Sequence, residues 1–241
     1  MILFNWLLDP ANWSGPYGVP TLVFEHILYT LAAMLAAAII AMPVGLFVGH
    51  TGRGELVIAG AANVLRALPS LGLIVLLVIL FAPVFASDLA FVVPSLIVLV
   101  LLAVPPIMTG TYSGIANANK AAVDAAKGMG YTPMQVLMRV ELPCALPLIF
   151  SGLRSATLQV ISTATIAAYV SLGGLGRLII DGRAQNDYSQ MAAGAILVGL
   201  LALFVDLFIE LVATLSVSRG LTRQEPRGII RWGRRLNPFR T

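Results

Sequence analysis

The sequence predicts an all-α protein that crosses a membrane about five times, and three observations support this fold class. Hydrophobic residues make up 59% of the 241 residues and charged residues only 11%, whereas a soluble domain carries about 25% charged residues. Long apolar segments recur along the chain, and a helix that crosses a bilayer needs roughly 20 mostly apolar residues. One short polar and basic segment, 119–143, separates two of these apolar segments.

Five apolar segments are long enough to cross the membrane. In chain order the predicted spans are 27–49, 56–87, 91–112, 146–171 and 191–215. The second is too long for one straight helix, and Pro69 divides it into an expected interfacial helix over 55–68 and a crossing helix over 70–86. We expect Pro105 and Pro106 to distort the end of the third span.

The distribution of positive charge predicts the orientation. Arginine and lysine collect on the cytoplasmic side of membrane proteins, and seven of the fifteen basic residues follow Ser218. The segment 172–188, interpreted as an external loop, carries two arginines that are offset by two aspartates. We therefore expect an external N-terminus and a cytoplasmic C-terminus, with 119–143 in the cytoplasm.

The expected organisation is a single membrane domain, 21–217, between an extracytoplasmic segment, 1–20, and a basic cytoplasmic tail, 218–241. Arginines beside a last span are typical of contact with anionic lipid headgroups. We therefore expect membrane lipid, and no nucleic acid, as the partner of this tail. The seven arginines are Arg219, Arg223, Arg227, Arg231, Arg234, Arg235 and Arg240.

The polar segment 119–143 predicts two short helices joined by a glycine turn. Asn119 is a suitable N-cap for an alanine-rich helix, and Gly128 and Gly130 are expected to end that helix. Thr132 followed by Pro133 is a typical start for a second helix. We expect Pro143 and Pro147 to mark the return of the chain to the membrane. An ordinary cytoplasmic linker with good helix signals would show the same pattern.

Several kinds of chemistry are missing from the sequence. A phosphate-binding P-loop needs a lysine directly after a glycine, but the only lysines, Lys120 and Lys127, follow Asn119 and Ala126. The single cysteine, Cys144, excludes an intrachain disulfide and a cysteine metal cluster. We expect no catalytic residue, metal or cofactor. Because the chain has no P-loop, any ATP hydrolysis that drives it must take place on a separate polypeptide.

One motif in the polar segment combines an acidic residue, small residues and a Leu-Pro pair at fixed spacing. Its members are Asp124, Ala125, Ala126, Gly130, Val140, Leu142 and Pro143. The spacing resembles the signature of inner-membrane permease subunits of ABC importers, which is Glu-Ala-Ala, three residues, Gly, nine residues, Ile, one residue, Leu-Pro. Aspartate replaces the glutamate here and valine replaces the isoleucine, and both changes keep the chemistry.

The resemblance implies that this loop is a coupling helix that docks in a groove of an ABC ATPase subunit. The residues expected to contact the ATPase are Asp124, Ala125, Ala126, Gly128 and Gly130, and those with a structural role in the loop are Leu142 and Pro143. It also implies a type I ABC importer permease fold in the bacterial plasma membrane. Further implied partners are an extracytoplasmic substrate-binding protein and a second permease subunit, identical or paralogous.

Three longer segments, 65–77, 125–133 and 151–176, resemble the permeases of osmoprotectant importers. That subgroup carries glycine betaine, carnitine, choline and related quaternary amines, so the resemblance implies a substrate of this class. An ABC importer for another small solute, such as an amino acid, remains an alternative.

Candidates for the translocation path follow from substrate chemistry, since aromatic rings hold quaternary amines by cation–π attraction. Tyr112 and Tyr169 are the aromatic candidates, and Ser70 and Thr163 are the hydroxyl candidates. Each has an alternative role, because tyrosine is enriched at membrane interfaces and hydroxyls can bond back to their own helix. The glycine-rich stretch 171–176 is either a flexible turn or an external gate or docking site.

Two carboxylates in the last span, Asp206 and Glu210, are four residues apart and share a helix face. A proton-coupled secondary carrier would use such a pair. Alternatively, the pair approaches the cytoplasmic end and meets Arg66, Arg154 or water. A membrane scaffold or assembly factor that transports nothing is the third class of function.

Overall fold

The computed structural model describes residues 6–85 and 87–217, and every regular element in these ranges is helical, which confirms the predicted fold class. A π-helical turn, Leu137–Glu141, joins α6 to α7, and 3₁₀ turns lie at Pro10–Trp13 and Ala168–Val170. The predicted tail, 218–241, with its seven arginines, lies outside the described residues. The helices are α1 (Val19–Thr51), α2 (Glu55–Ala67), α3 (Ser70–Phe81), α4 (Leu89–Ala116), α5 (Lys120–Gly128), α6 (Pro133–Val136), α7 (Leu142–Ala167), α8 (Gly176–Gln185) and α9 (Tyr188–Ser216).

Four helical stretches are long and apolar enough to cross a membrane: α1, α4, the run Pro133–Val170 that contains α7, and α9. The pair α2 and α3 forms the fifth predicted span, bent by 86° at the break between the two helices. The prediction of about five spans is therefore confirmed as four long helices and one broken pair.

Proline explains where the broken span bends and where it ends. Pro69 lies outside both helices in an extended conformation, with ψ of 107°, as the sequence predicts. The expected crossing helix over 70–86 is shorter in the structure, because α3 ends at Phe81, two residues before Pro83. Its 12 residues extend about 18 Å, which is less than the hydrocarbon thickness of roughly 30 Å.

Pro105 and Pro106, which the sequence predicts to distort the end of the third span, do not end the helix. Both prolines are buried inside α4, which continues to Ala116. Neighbouring helices keep a transmembrane helix intact through a proline because packing and nearby groups compensate the lost hydrogen bond. Here α4 is enclosed on two sides by α1 and α7.

A stripe of small residues brings α1 against α4. Ala33, Ala37, Ala41 and Gly45 recur every four residues on one face of α1, and all four are buried. A Cβ atom on Gly45 would lie 2.7 Å from Cβ of Thr111 in α4. Such small-residue faces let transmembrane helices approach closely, so α1 and α4 pack almost backbone to backbone.

The α4–α7 contact is equally close. A Cβ on Gly152 would lie 2.6 Å from the carbonyl oxygen of Pro106 and 3.1 Å from Cα of Gly110. Further along α4, Gly114 lies against Ala145, so the two helices run antiparallel. One end of the bundle therefore carries 117–141, which we call the loop end, and the opposite end carries 168–187, which we call the turn end.

The expected external loop 172–188 contains a helix, which corrects that prediction. Helix α8 packs beneath α9, with Leu175 and Leu178 in a buried cluster that includes Leu22 of α1. Arg177 Nε donates to Asp181 Oδ2 at 3.2 Å, one helical turn away. Helix α8 has only ten residues. Its few apolar positions among charged residues did not indicate a helix in the sequence.

Candidate functional site

The polar segment at the loop end folds as its caps predict. Asn119 Oδ1 accepts hydrogen bonds from Ala121 N at 2.9 Å and Ala122 N at 3.3 Å, which caps α5. Thr132 begins α6 with a reciprocal capping box: its Oγ1 accepts from Gln135 N, and its backbone N donates to Gln135 Oε1 at 2.8 Å. The prediction of two short helices starting at these residues is confirmed.

The turn between the two helices depends on one glycine. Helix α5 ends at Gly128, and Gly130 has φ of +84°. Tyr131 N donates to Ala126 O at 3.1 Å, which closes the turn against the end of α5. No atom lies within 4 Å of the position a Cβ would take on Gly130, so its backbone conformation, rather than crowding, requires glycine.

The loop has an inner face that fixes it and an outer face that is open. Ala126 is 1% exposed and Val136 is 0% exposed, and α5 packs against α6 and the π-helical turn. Asp124, Ala125 and Gly128 are exposed, as is Gly130. Of the five residues assigned to the ATPase contact, Ala126 alone faces inward, where it holds α5 to its own chain.

Three methionines extend the open face of the loop, and the sequence analysis missed them. The exposed fractions of Met129, Met134 and Met138 are 69%, 62% and 47%. Methionine is flexible and polarisable, and it suits surfaces that adapt to a partner. A single methionine carries little information in a sequence, and the exposure of these three side chains is evident only in the folded chain.

Leu142 and Pro143 begin α7 directly after the π-helical turn. Leu142 packs against a buried cluster that contains Ile115, Ala145 and Ile149. The chain continues as one helical run from Pro133 to Val170. The return to the membrane is therefore a widened helical turn rather than a break, and Pro143, which has no N–H to donate, directly follows that turn.

A polar cleft of about 260 Å³ lies under α5 at the loop end. Lys120, Asp124 and Lys127 contribute to it from α5, and Glu141 lies on the opposite side. His50, near the end of α1, places Nδ1 2.5 Å from Oε2 of Glu141. The two residues are 91 positions apart, and the sequence analysis did not connect them.

Charged residues of α7 and α9 form a cluster toward the loop half of the bundle. Arg154 donates from Nε to Asp206 Oδ1 at 2.8 Å and from Nη2 to Oδ2 at 2.7 Å, and its Nη1 donates to Glu210. The predicted pairing with Arg154 is confirmed. Arg66 makes no ion pair with any described residue. Both oxygens of Asp206 are engaged, which argues against a proton-carrying pair of carboxylates.

The four path candidates lie on different elements. Ser70 begins α3, Tyr112 packs against the central core from α4, and Thr163 is buried in α7. Tyr169 is 60% exposed at the turn end. None of the four lines the polar cleft or the apolar groove between α1, α7 and α9, so the structure does not bring them together around one cavity.

The glycine-rich stretch 171–176 forms a turn that contacts α1. Ser171, Gly173 and Gly174 all have positive φ. Gly174 N donates to Glu25 Oε2 of α1 at 2.9 Å, and a Cβ on Gly173 would lie 2.7 Å from the same oxygen. The turn is therefore held against α1 at the turn end.

A bundle of four long apolar helices and one broken pair, with a structured loop at one end, defines a polytopic membrane protein. Residues 41–217, more than half of the chain, match the family described as binding-protein-dependent transport system inner membrane component. The chain belongs to this family of transport subunits and is a multi-pass inner-membrane component.

Named relatives agree with this assignment. The chain is 32% identical to the choline transport system permease protein OpuBB of Bacillus subtilis (strain 168), over 83% of this chain and 89% of that protein. It is 33% identical to the carnitine transport permease protein OpuCD of Listeria monocytogenes serotype 1/2a (strain 10403S), over 84% of this chain and 88% of that protein. The predicted family of ABC importer permeases is thereby confirmed.

Solved structures agree on the fold. A chain from the inward-facing MetNI methionine ABC transporter matches with a TM-score of 0.68 and 20% identity, covering 83% of this chain and 96% of that chain. A chain from an amino acid ABC transporter matches with a TM-score of 0.57 and 16% identity. At these identities the similarity shows the fold, which is that of a type I ABC importer permease.

Proposed function

We propose that this chain is the membrane-spanning permease subunit of an ATP-driven importer for a small osmoprotectant such as glycine betaine, carnitine or choline. The substrate class follows from relatives named for choline and carnitine transport, which align over more than four-fifths of this chain. A substrate-binding protein delivers the solute at the outer face. A second permease subunit completes the path, since five spans do not comfortably enclose one.

The observation that supports the coupling role is the loop itself. Helix α5 exposes Ala125 and Gly128, Asp124 is exposed at the edge of the polar cleft, the exposed Met129 follows them, and Ala126 is buried. A small outer face with a flexible apolar neighbour suits close docking by another protein. No P-loop lysine is present in the sequence, so the energy enters through this contact with a separate ATPase.

The proposed cycle uses the loop as a lever. ATP binding closes the two ATPase subunits and draws the two loops together, which changes the bundle from inward-facing to outward-facing. A partner shifts such an equilibrium only by its different affinity for the two states. The loop must therefore be attached firmly to the spans, and α6 continues through the π-helical turn into α7 as one helical run.

The proposed orientation places the loop end in the cytoplasm. Arg53, Lys120, Lys127 and Arg139 lie at this end, whereas the charges of α8 at the turn end largely offset one another. The excess of positive charge at the loop end supports a cytoplasmic location. The N-terminus would then be external and the C-terminal tail cytoplasmic.

The test is uptake by the assembled complex. The chain, together with the P-loop ATPase that co-purifies with it and its binding protein, is placed in vesicles, and ATP-dependent uptake of labelled choline, carnitine, glycine betaine and methionine is measured. We expect uptake of a quaternary amine that stops when the ATPase is omitted. Uptake that persists without ATP would contradict the proposal of an ATP-driven importer. Uptake of methionine alone would show that the substrate is an amino acid rather than an osmoprotectant.

The same vesicles test the loop. Asp124→Lys reverses an exposed charge of α5 at the edge of the polar cleft, and we expect uptake to fall about tenfold, a loss typical of a disrupted coupling, while the protein still inserts. The matched control is Glu55→Lys, because Glu55 is also exposed and lies at the same end, outside the loop. Equal uptake in the two variants would contradict the coupling role.

A further inference from the structure

The contact between His50 and Glu141 joins two parts of the chain that have no other polar connection among the described residues. His50 is the penultimate residue of α1, and Glu141 is the last residue of the π-helical turn. Nδ1 of His50 lies 2.5 Å from Oε2 of Glu141, and the side chains are 23% and 10% exposed. The imidazole N–H donates and the carboxylate accepts, in a contact largely shielded from water.

Glu141 has no second polar partner within the described residues. Lys120 and Lys127 line the same cleft, yet neither forms an ion pair with it. A carboxylate at this level of burial is strongly destabilising if it is left without a hydrogen bond. His50 is therefore what permits an acidic residue at this position beneath the loop.

The π-helical turn directs Glu141 to this partner. A π turn inserts a residue relative to an α-helix, and such turns often occur at functional positions. Leu142 N donates to Leu137 O, five residues back, which widens the helix where α6 meets α7. The extra residue in this turn changes the direction in which the Glu141 side chain leaves the helix, and the side chain faces the end of α1.

The connection matters because α1 is not linked to the loop along the chain. Helices α4 and α7 flank the loop directly in sequence, so a displacement of α5 reaches them through the backbone. Helix α1 ends 68 positions before the loop begins at Asn119. Its end packs against α4 through Gly49, and its polar contact with the loop segment is the His50–Glu141 pair.

We propose that His50 and Glu141 are a positioning pair that transmits displacement of the loop to α1. The inference rests on the proposed function, because it assigns a role within the coupling of ATP hydrolysis to uptake. It requires that the pair stay connected while the loop moves. A broken pair would let α5 and α6 follow the ATPase while α1 lags behind.

The test compares uptake with ATP hydrolysis in the reconstituted complex. His50→Gln and Glu141→Gln each replace one partner of this contact with an uncharged amide of similar volume. We expect each to lower the amount of substrate imported per ATP hydrolysed about tenfold, the size of a typical coupling between sites. The amount of ATPase that co-purifies should stay unchanged. Glu55→Gln, which removes an exposed carboxylate at the same end, should match the unaltered chain.

Two further variants separate transmission from simple stabilisation. The double variant His50→Gln with Glu141→Gln should be no worse than either single change, because residues that act as one unit are not additive. Exchange of the two residues, His50→Glu with Glu141→His, should restore part of the lost import per ATP. A merely structural pair would instead lower uptake and hydrolysis together, in proportion to the complex that assembles, and this result would overturn the proposal.

Failure of the inference is distinguishable from failure of the proposed function. If Asp124→Lys uncouples the complex but His50→Gln and Glu141→Gln keep the import per ATP of the unaltered chain, the pair has no transmitting role and the importer stands. If the unaltered complex shows no ATP-dependent uptake, the proposed function itself is wrong.

Discussion

Single residues explain much of the loop, because each acts through a local preference that the chain carries in its sequence. Asn119 and Thr132 accept the N–H groups that helix starts leave without partners. Gly130 takes a left-handed conformation that other residues adopt only with strain. These preferences need no tertiary contact, and for that reason they were predictable.

Arg154 shows what residue type predicts and what it leaves open. A charge inside an apolar span needs a partner, so the sequence indicated a pairing with Asp206 or Glu210. The structure adds that the guanidinium contacts both, with a two-pronged contact to Asp206. Four residues separate the acids, so one arginine from α7 reaches both on a single face of α9.

This cluster predicts the outcome of a charge exchange. Arg154→Asp places three acids together and Asp206→Arg places two cations together, so we expect each to lower the melting temperature of the detergent-solubilised protein by several degrees. The combined exchange should recover much of that loss, because it restores one opposite-charge pair between α7 and α9. Thermal unfolding followed by tryptophan fluorescence is the measurement. Additive losses in the combined variant would count against the pairing.

At the scale of elements, helix contacts are set by small residues whose pattern is visible in the sequence but whose partner is not. The four-residue repeat that includes Ala37 and Ala41 marks a packing face of α1. Nothing in a single sequence says that the face meets α4 rather than α7. The close approach of Gly152 to Pro106 and Gly110 is likewise evident only in the folded bundle.

The α4–α7 contact predicts a large difference between two similar glycine substitutions. Gly152→Ala would place a Cβ 2.6 Å from the carbonyl of Pro106, so the helices must separate, and overpacking of this kind costs about 1–3 kcal/mol. Gly199→Ala in α9 meets no atom within 4 Å and should be neutral or slightly stabilising, because alanine favours helix. Melting temperatures of the two variants decide the matter, and equal values would contradict this packing.

Where sequence analysis failed, distance along the chain or a weak local pattern was the cause. Helix α8 was missed because it lies in a short, polar segment that resembles a loop. The i,i+4 pair of Arg177 with Asp181 favours a helix, but it was interpreted only as charges that offset one another. The pair of His50 and Glu141 was missed because nothing local relates residues 91 positions apart. The sequence also did not show how far the third span extends, since α4 continues through Pro106 to Ala116 within its packed surroundings.

At the scale of the whole molecule, the described residues form a bundle with two chemically different ends. The loop end carries two capped helices, exposed methionines and a polar cleft beneath α5. The turn end carries α8 and a turn fixed to α1 through Glu25 and Gly174. If the ATPase binds the loop end, the turn end is the surface that remains for the substrate-binding protein. The proposed function therefore depends on which end faces the cytoplasm.

Cysteine labelling tests that orientation directly. The native chain has one cysteine, so Cys144→Ser gives a background in which Ala125→Cys marks the loop end and Gln185→Cys marks the turn end. Both positions are exposed. Because positive charge collects at the loop end, we expect a membrane-impermeant maleimide to label the turn-end cysteine in intact cells and the loop-end cysteine only after permeabilisation.

The same variants connect orientation to coupling. Binding of the ATPase should protect Ala125→Cys from the reagent in permeabilised cells, because α5 would then be covered, while Gln185→Cys stays reactive. Labelling of the loop end in intact cells would show that this end is external. The proposed contact with the ATPase would then be wrong, because ATP is supplied from the cytoplasm. If the ATPase instead protected Gln185→Cys, its contact would lie at the turn end, and the coupling role of the loop would be contradicted.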